Sequence, residues 1–142
     1  MERPIKFLLS RDDLTHQRGY WIIASALREA GIEVVLGGMQ LPQEIVETAI
    51  QEDVDIIGYR IMQGSPRVLV PSLFEKMRQR AIDDVAVVVG GIVPEKDEAL
   101  LKELGVKEVF HPFTPLQRIV DRIKSIGCAA SSKKGREGYD VS

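Results

Sequence analysis

The chain has two histidines, His16 and His111, and both follow short apolar segments. His16 belongs to the polar stretch SRDDLTHQRG after the apolar run from Ile5 to Leu9, and His111 begins the stretch HPFT. Histidine titrates near physiological pH and is the commonest metal ligand among side chains. Because histidines in turns are often ordinary surface residues, position alone leaves a structural role open for both.

Several other chemistries lack their defining motifs in this chain. It contains no GxxxxGK[ST] phosphate loop, no GxGxxG after the first strand, no GxSxG and no HExxH. Asp12 and Asp13 follow the first predicted strand, as acidic residues do in response-regulator receivers, but the third strand ends in Tyr59-Arg60 where a receiver has its phosphoacceptor Asp. The receiver interpretation is therefore weakened, and a metal would have to arrive within a cofactor.

The composition of the chain excludes further classes of protein. Of the 142 residues, 19 are basic and 21 acidic, and the net charge of −2 gives no field that attracts nucleic acid or an anionic membrane. The single cysteine, Cys128, forms neither an intrachain disulfide nor a Cys-rich zinc site. No stretch approaches the roughly 20 apolar residues of a membrane span. The sequence predicts a cytoplasmic protein with one domain.

Hydrophobic periodicity divides the chain into five strand–helix units. The first helix is predicted from the stripe Ile23, Ala26, Leu27 and Ala30, with Gly31 as its cap. The almost unbroken valine run VAVVV predicts a central parallel strand that is buried on both faces. Residues 1–126 are predicted to form the domain, and residues 127–142, which are small, polar and unpatterned, a flexible tail. The predicted strands are Ile5–Leu9, Glu33–Leu36, Val54–Tyr59, Val85–Val89 and Glu108–Phe110.

This order of elements predicts an α/β fold with a doubly wound, flavodoxin-like parallel sheet of strand order 2-1-3-4-5 and helices on both faces. Ligands bind such sheets beyond the carboxyl ends of the strands, where residues 10–19, 60–66, 90–94 and 111–114 should meet. Gly90 and Gly91 directly follow VAVVV, and residues without Cβ let a flat, bulky ligand approach the backbone. A plain turn before Pro94 explains the glycine pair equally well.

From about Ile5 to Ile126 the chain resembles the cobalamin-binding domain of the methylmalonyl-CoA mutase group, especially the free-standing small subunits of two-subunit acyl-CoA mutases. That family carries D-x-H-x-x-G in its first loop and a helix of the type A-x-A-L-R-x-A-G. Here these positions read LTHQRG and ASALREAG. The stretches PQEIVETAIQEDVDIIG, VVVGGIVP and Thr114-Pro115-Leu116 also resemble the family.

The resemblance implies a cofactor and a partner. The cofactor is adenosylcobalamin, whose own benzimidazole leaves cobalt while its nucleotide tail enters the domain, so that the motif histidine, His16, becomes the lower cobalt ligand. The enzymes of this group isomerise acyl-CoA carbon skeletons by radical chemistry, and a separate CoA-binding barrel subunit holds the substrate. The implied assembly is therefore a hetero-oligomer without nucleic acid or membrane. The predicted cofactor-binding residues are Thr15, His16, Gln17, Arg18, Gly19, Arg60, Met62, Gly64, Gly90, Gly91, His111 and Thr114, with His16 as the metal ligand and no catalytic residue on this chain.

Two departures from the family pattern keep alternatives open. Leu14 stands where the family has the Asp that orients the histidine, so His16 either binds cobalt less firmly or is oriented by Asp12 or Asp13. Arg60 stands where the family has a small hydroxyl residue, and it either bonds the nucleotide tail or obstructs its groove. The alternative functions are a non-catalytic regulatory module that has lost tight cobalamin binding and, with less support, a corrinoid methyl carrier.

Overall fold

The computed structural model describes residues 3–133. Within this range five strands alternate with five helices, as the sequence predicts. The strands are β1 (Lys6–Arg11), β2 (Glu33–Met39), β3 (Ile56–Ile61), β4 (Ala86–Gly91) and β5 (Glu108–Phe110). The helices are α1 (Gln17–Glu29), α2 (Pro42–Glu52), α3 (Pro66–Gln79), α4 (Glu95–Leu104) and α5 (Leu116–Lys133).

The five strands form one sheet in the order β2-β1-β3-β4-β5, and every neighbouring pair is parallel. The predicted flavodoxin-like topology is thus confirmed. Since all strands run in the same direction, their carboxyl ends meet at one side of the sheet. We call this side, with the loops after β1, β3, β4 and β5, the carboxyl edge.

Apolar side chains pack on both faces of the sheet. Val87 and Val89 of β4 join the cluster beneath α2, α3 and α4, whereas Ala86 and Val88 join the cluster beneath α1 and α5. The valine run is therefore buried on both faces, as predicted, and it anchors the centre of the sheet.

The buried face of α1 is displaced from the predicted stripe. Its buried residues are Tyr20, Ala24 and Leu27, whereas Ile23, Ala26 and Ala30 are half-buried. The Tyr20 hydroxyl donates to the Leu9 carbonyl at 2.8 Å and accepts from the Gly38 amide at 2.9 Å. Because a buried phenol needs such partners, these two bonds stabilise Tyr20 on the buried face of α1, which an apolar stripe alone does not predict.

Helix α5 continues beyond the predicted domain boundary at residue 126. It ends at Lys133, and Ile126 and Ala130 are buried on it. Gly127 lies so close to Ile5 that an added Cβ would come within 2.6 Å of the Ile5 side chain. Small residues pack here because the helix approaches the first strand closely, and their small size explains why the sequence pattern indicated a tail. Residues 134–142 of the predicted tail lie outside the described residues.

No helix within residues 3–133 is both long enough and apolar enough to span a bilayer.

Candidate functional site

A groove of about 530 Å³ opens at the carboxyl edge between α1 and α5. Strand residues including Gly58, Val88 and Gly90 form its floor, and apolar side chains of the two helices, such as Ile23 and Ile119, form its sides. A mostly apolar concavity with a few polar groups at its mouth is typical of a site for a small molecule or cofactor. The predicted site residues that line it are Arg18, Gly19, Arg60, Met62, Gly90, Gly91, His111 and Thr114.

The four other predicted residues, Thr15, His16, Gln17 and Gly64, do not line the groove. His16 is the N-cap of α1, whose first turn contributes Arg18 and Gly19 to the groove. The His16 carbonyl also accepts a hydrogen bond at 2.9 Å from Arg60, which lines the groove as well. His16 therefore lies beside the groove, on the loop that leads into its helical side.

A buried carboxylate orients the His16 ring. Asp13 Oδ2 contacts His16 Nδ1 at hydrogen-bonding distance, while 51% of the His16 side chain and none of the Asp13 side chain is exposed. An ionised carboxylate only accepts, so Nδ1 carries the proton of this bond, and Nε2 is the ring nitrogen that the bond leaves available. Of the two alternatives that the sequence offers, Asp13 thus orients His16, whereas the side chain of Leu14 is exposed.

Asp13 remains ionised in this setting. Burial raises the pKa of its carboxyl, but hydrogen bonds from His16 and Thr15 outweigh burial and hold the pKa below its usual value. Thr15 contributes through its hydroxyl, which donates to Asp13 Oδ2 at 3.0 Å. The predicted residue Thr15 therefore acts on the orienting carboxylate.

Asp12, the other acidic residue of this loop, has a different role. Its carboxylate accepts hydrogen bonds from the backbone amides of Met62, Gln63 and Gly64, at 2.7 Å for Met62 and 2.6 Å for Gly64. These bonds tie the loop after β3 to the loop after β1. The predicted residues Met62 and Gly64 are thereby fixed next to the groove through their backbone.

Two arginines lie near the carboxyl ends of the neighbouring strands β1 and β3. Arg11 and Arg60 are partners in the β1–β3 register, and the Arg11 guanidinium lies 4.4 Å from the centre of the Tyr20 ring. Among the described residues, Arg11 Nε and Nη1 have no hydrogen-bond partner, so the aromatic face replaces part of their hydration. Burial lowers the pKa of Arg60, and nearby Asp13 partly offsets that shift. The Arg60 guanidinium thus packs against Gly19, where an added Cβ would overlap it.

Gly90 and Gly91 lack side chains for different reasons. An added Cβ on Gly90 would meet only ordinary contacts, the nearest being the Phe110 carbonyl oxygen at 3.7 Å. Gly91 has a φ of +103°, and an added Cβ would overlap the carbonyl group of Ile61, with the Ile61 carbonyl carbon at 2.9 Å. Gly90 therefore leaves room in the groove, whereas Gly91 permits close packing of two strands.

We expect Gly91→Ala to destabilise the domain by more than about 2 kcal/mol, because backbone overlap adds to the cost of a positive φ. Gly38→Ala is the matched control, since Gly38 has a φ of +74° with nothing near its missing Cβ, and should cost only about 1 kcal/mol. Urea denaturation of both variants measures the difference. Equal losses would contradict the role assigned to the Ile61 carbonyl.

His111, the second histidine, is engaged at the far end of the groove. Its Nε2 lies 2.6 Å from Glu98 Oε1, and this hydrogen bond is the main reason why the pKa of Glu98 lies below its usual value. The His111 carbonyl accepts bonds from the backbone and hydroxyl of Thr114. His111 is thus part of a fixed turn at the groove.

Comparison with known proteins identifies the family of the chain. The family described as the B12 binding domain matches residues 6–120. The chain belongs to the B12-binding domain family. The resemblance inferred from the sequence is therefore confirmed.

Two similar proteins cover almost the whole chain, and both are named as mutase small subunits. The 2-hydroxyisobutanoyl-CoA mutase small subunit of Aquincola tertiaricarbonis is 39% identical over 93% of this chain and 98% of its own length. The pivalyl-CoA mutase small subunit of Xanthobacter autotrophicus is 37% identical over 88% of this chain and 85% of its own length. The methylmalonyl-CoA mutase of Escherichia coli is 36% identical over 71% of this chain, which corresponds to 14% of the larger protein.

Solved structures similar to this B12-binding domain include receiver domains. The receiver domain of the Francisella response regulator 1452 superposes with a TM-score of 0.69 at 16% identity, covering 88% of this chain and 98% of that one. A response regulator from Thermotoga maritima superposes with a TM-score of 0.67 at 16% identity, and the match covers 87% of this chain and 98% of that one. At this identity the likeness concerns the fold alone.

Sequence reasoning missed two parts of the site, the apolar sides of the groove and Phe113, and it left the carboxylate that orients His16 open between Asp12 and Asp13. The apolar sides of the groove, including Ile22 and Ile123, are ordinary helix residues by pattern. Asp13 was only one of two alternatives, since a hydrogen bond across three residues depends on loop conformation. Phe113 also lines the groove, and the one sequence signal for it is a phenylalanine in a Pro-x-Thr turn.

Proposed function

We propose that this B12-binding domain is the small subunit of an adenosylcobalamin-dependent acyl-CoA mutase, and that it holds the cofactor with its benzimidazole off the cobalt and His16 on it. The observation that carries the proposal is the exposed His16 ring, held at Nδ1 by a buried carboxylate, beside an apolar groove. The two mutase small subunits that align over nearly the whole chain support it.

The residues present fit the cofactor. His16 Nε2 offers an oriented imidazole nitrogen, which suits a borderline metal such as cobalt. The apolar groove floored by Gly90 suits the flat, largely apolar benzimidazole end of the nucleotide tail. Adenosylcobalamin, when bound, supplies the radical chemistry of such isomerases. The chain itself orients, desolvates and retains it.

Most of the predicted residues then have a role in binding. Asp13 and Thr15 fix the His16 ring, and Arg60 fixes the backbone of the same loop. Asp12 holds Met62 and Gly64 beside it. Gly90 leaves the volume that the tail requires, while His111 and Thr114 shape the far turn.

The same proposal includes a separate CoA-binding subunit that covers the carboxyl edge. Exposed large apolar side chains gather on that side of the molecule, where a partner would bury them with the cofactor. These residues are Leu14, Met39, Leu41, Val68, Ile92 and Phe113. Neither a regulatory module without cofactor nor a methyl carrier has a comparable observation in its favour.

Titration with hydroxocobalamin and adenosylcobalamin tests the proposal. The protein should retain one corrinoid per chain after desalting, with the absorption spectrum of the base-off, His-on form. Addition of a co-expressed CoA-binding subunit should then give isomerisation of an acyl-CoA ester. Absence of any retained corrinoid would reject the cofactor and favour the non-catalytic module.

Gly90→Leu provides a variant for the groove. The leucine side chain should fill the floor of the groove and prevent retention of cobalamin. The space beside Gly90 cannot hold this side chain and the nucleotide tail at the same time. Gly90→Ala is the control that should keep both stability and binding, since an added Cβ meets only ordinary contacts, and thermal unfolding of both variants shows whether the larger side chain disturbs the fold. Normal cobalamin retention by Gly90→Leu would place the nucleotide tail elsewhere.

A further inference from the structure

The loop after β5 contains a tight turn whose third residue is unusual. Residues 111–114 read His-Pro-Phe-Thr, and the Thr114 amide donates to the His111 carbonyl at 3.2 Å. Pro112 occupies the second position and Phe113 the third, with a φ of +70°. This is the pattern of a type II turn, in which the third position normally requires glycine or asparagine. A bulky residue with this φ is a conformational outlier.

Nothing within the described chain compensates for the cost of this conformation. The Phe113 side chain is 101% exposed, so it gains no packing from the fold. The two other non-glycine residues with positive φ within residues 3–133 are Asp53 and Ala81. Each lies just after a helix, where left-handed conformations are common, and neither is aromatic. Strain at an exposed aromatic residue indicates a role outside the folding of the domain.

The position of Phe113 suggests that role. It lines the groove between α1 and α5 at its rim, together with Leu116 and Arg18. The second hydrogen bond to the His111 carbonyl, from the Thr114 hydroxyl at 2.6 Å, and the Glu98–His111 contact hold the turn in place. A fixed, exposed ring at the rim of an apolar groove is placed to cover a ligand that occupies the groove.

We propose that Phe113 closes the groove over the benzimidazole nucleotide of bound cobalamin and slows its release. This inference rests on the proposed cobalamin binding and adds a residue that determines how firmly the tail is held. Flat heteroaromatic groups pair favourably with a phenylalanine ring in offset or edge-to-face geometry. The backbone strain is then retained because it directs the ring to the ligand.

The test uses the whole chain and two corrinoids, cobalamin and cobinamide, which lacks the nucleotide tail. Phe113→Gly should weaken cobalamin binding about tenfold, mainly through faster dissociation, and leave cobinamide binding unchanged. Its Tm should stay equal to that of the wild type or rise, because glycine accepts the positive φ. Phe113→Tyr, which keeps the ring, should bind cobalamin like the wild type.

Ala81→Gly is the matched control. It relieves the same kind of backbone strain, with a φ of +57°, at a position that does not line the groove. It should behave like Phe113→Gly in thermal unfolding while binding both corrinoids like the wild type. A loss of affinity in this control would attribute the Phe113 effect to general flexibility and overturn the proposal.

The remaining outcomes also decide. Unchanged cobalamin affinity in Phe113→Gly would overturn the role of Phe113, and so would an equal loss of affinity for cobalamin and cobinamide. Cobalamin binding by the wild type would still stand in both cases. Phe113 would then serve the corrin or a partner subunit instead. Failure of the wild-type chain to bind cobalamin would overturn the proposed function and this inference with it. The wild-type titration therefore separates the two failures.

Discussion

His16→Ala should lose the His-on absorption spectrum with hydroxocobalamin and bind the corrinoid at least about 100-fold more weakly. Loss of a group that merely orients a metal ligand typically costs about 10 to 100-fold, and here the ligand itself is removed. The effect is expected to be large because His16 combines exposure with orientation: half of its side chain is accessible, and Asp13 fixes the ring.

The control for His16→Ala is His111→Ala. His111 is the other histidine of the chain and lies at the same carboxyl edge, but its Nε2 contacts Glu98. This variant should keep the His-on spectrum. Thermal unfolding must accompany both measurements, since removing His16 leaves the buried Asp13 carboxylate with fewer partners and lowers stability. A His-on spectrum in His16→Ala that disappears in His111→Ala would exchange the roles of the two histidines.

The fold followed from the sequence because its signals are local and repeated. The valine run and the recurring helix patterns define five units, and the handedness of βαβ connections restricts the topology. The errors occur where small or polar groups decide the packing. Two hydrogen bonds of its hydroxyl hold Tyr20 on the buried face of α1, and Gly127 lets α5 continue past the predicted boundary at close distance to Ile5.

The site was predictable to the level of segments and less so to the level of contacts. The strand order alone brings the loops with His16, Arg60, Gly90 and His111 to one edge. Which carboxylate orients His16 depends on the loop conformation, which no periodic pattern encodes. The distinct functions of Gly90 and Gly91 likewise depend on the register of β4 against β3, since only that register sets Gly91 against the Ile61 carbonyl.

The orienting carboxylate can be assigned by a pair of substitutions. Asp13→Asn should weaken cobalamin binding about 10 to 100-fold, because the amide keeps the size of the side chain but removes the negative charge that stabilises the Nδ1 proton and makes Nε2 a better donor. The polar contacts that remain possible for asparagine should preserve folding. Absorption titration at fixed pH and salt gives the affinity, and thermal unfolding gives the stability.

Leu14→Asp is the matched substitution, because it restores the family's carboxylate at its usual place in the motif. If Leu14 were the weakness of this site, the variant would bind cobalamin more tightly than the wild type. We expect no tightening, since Asp13 already occupies Nδ1 and the Leu14 side chain is 59% exposed. Tighter binding by Leu14→Asp together with an unaffected Asp13→Asn would mean that the loop rearranges around the cofactor. Weaker binding by Asp13→Asn together with no tightening by Leu14→Asp would show that the orienting carboxylate of this chain lies at position 13 instead of position 14. It would also show that His16 still acts as the oriented ligand.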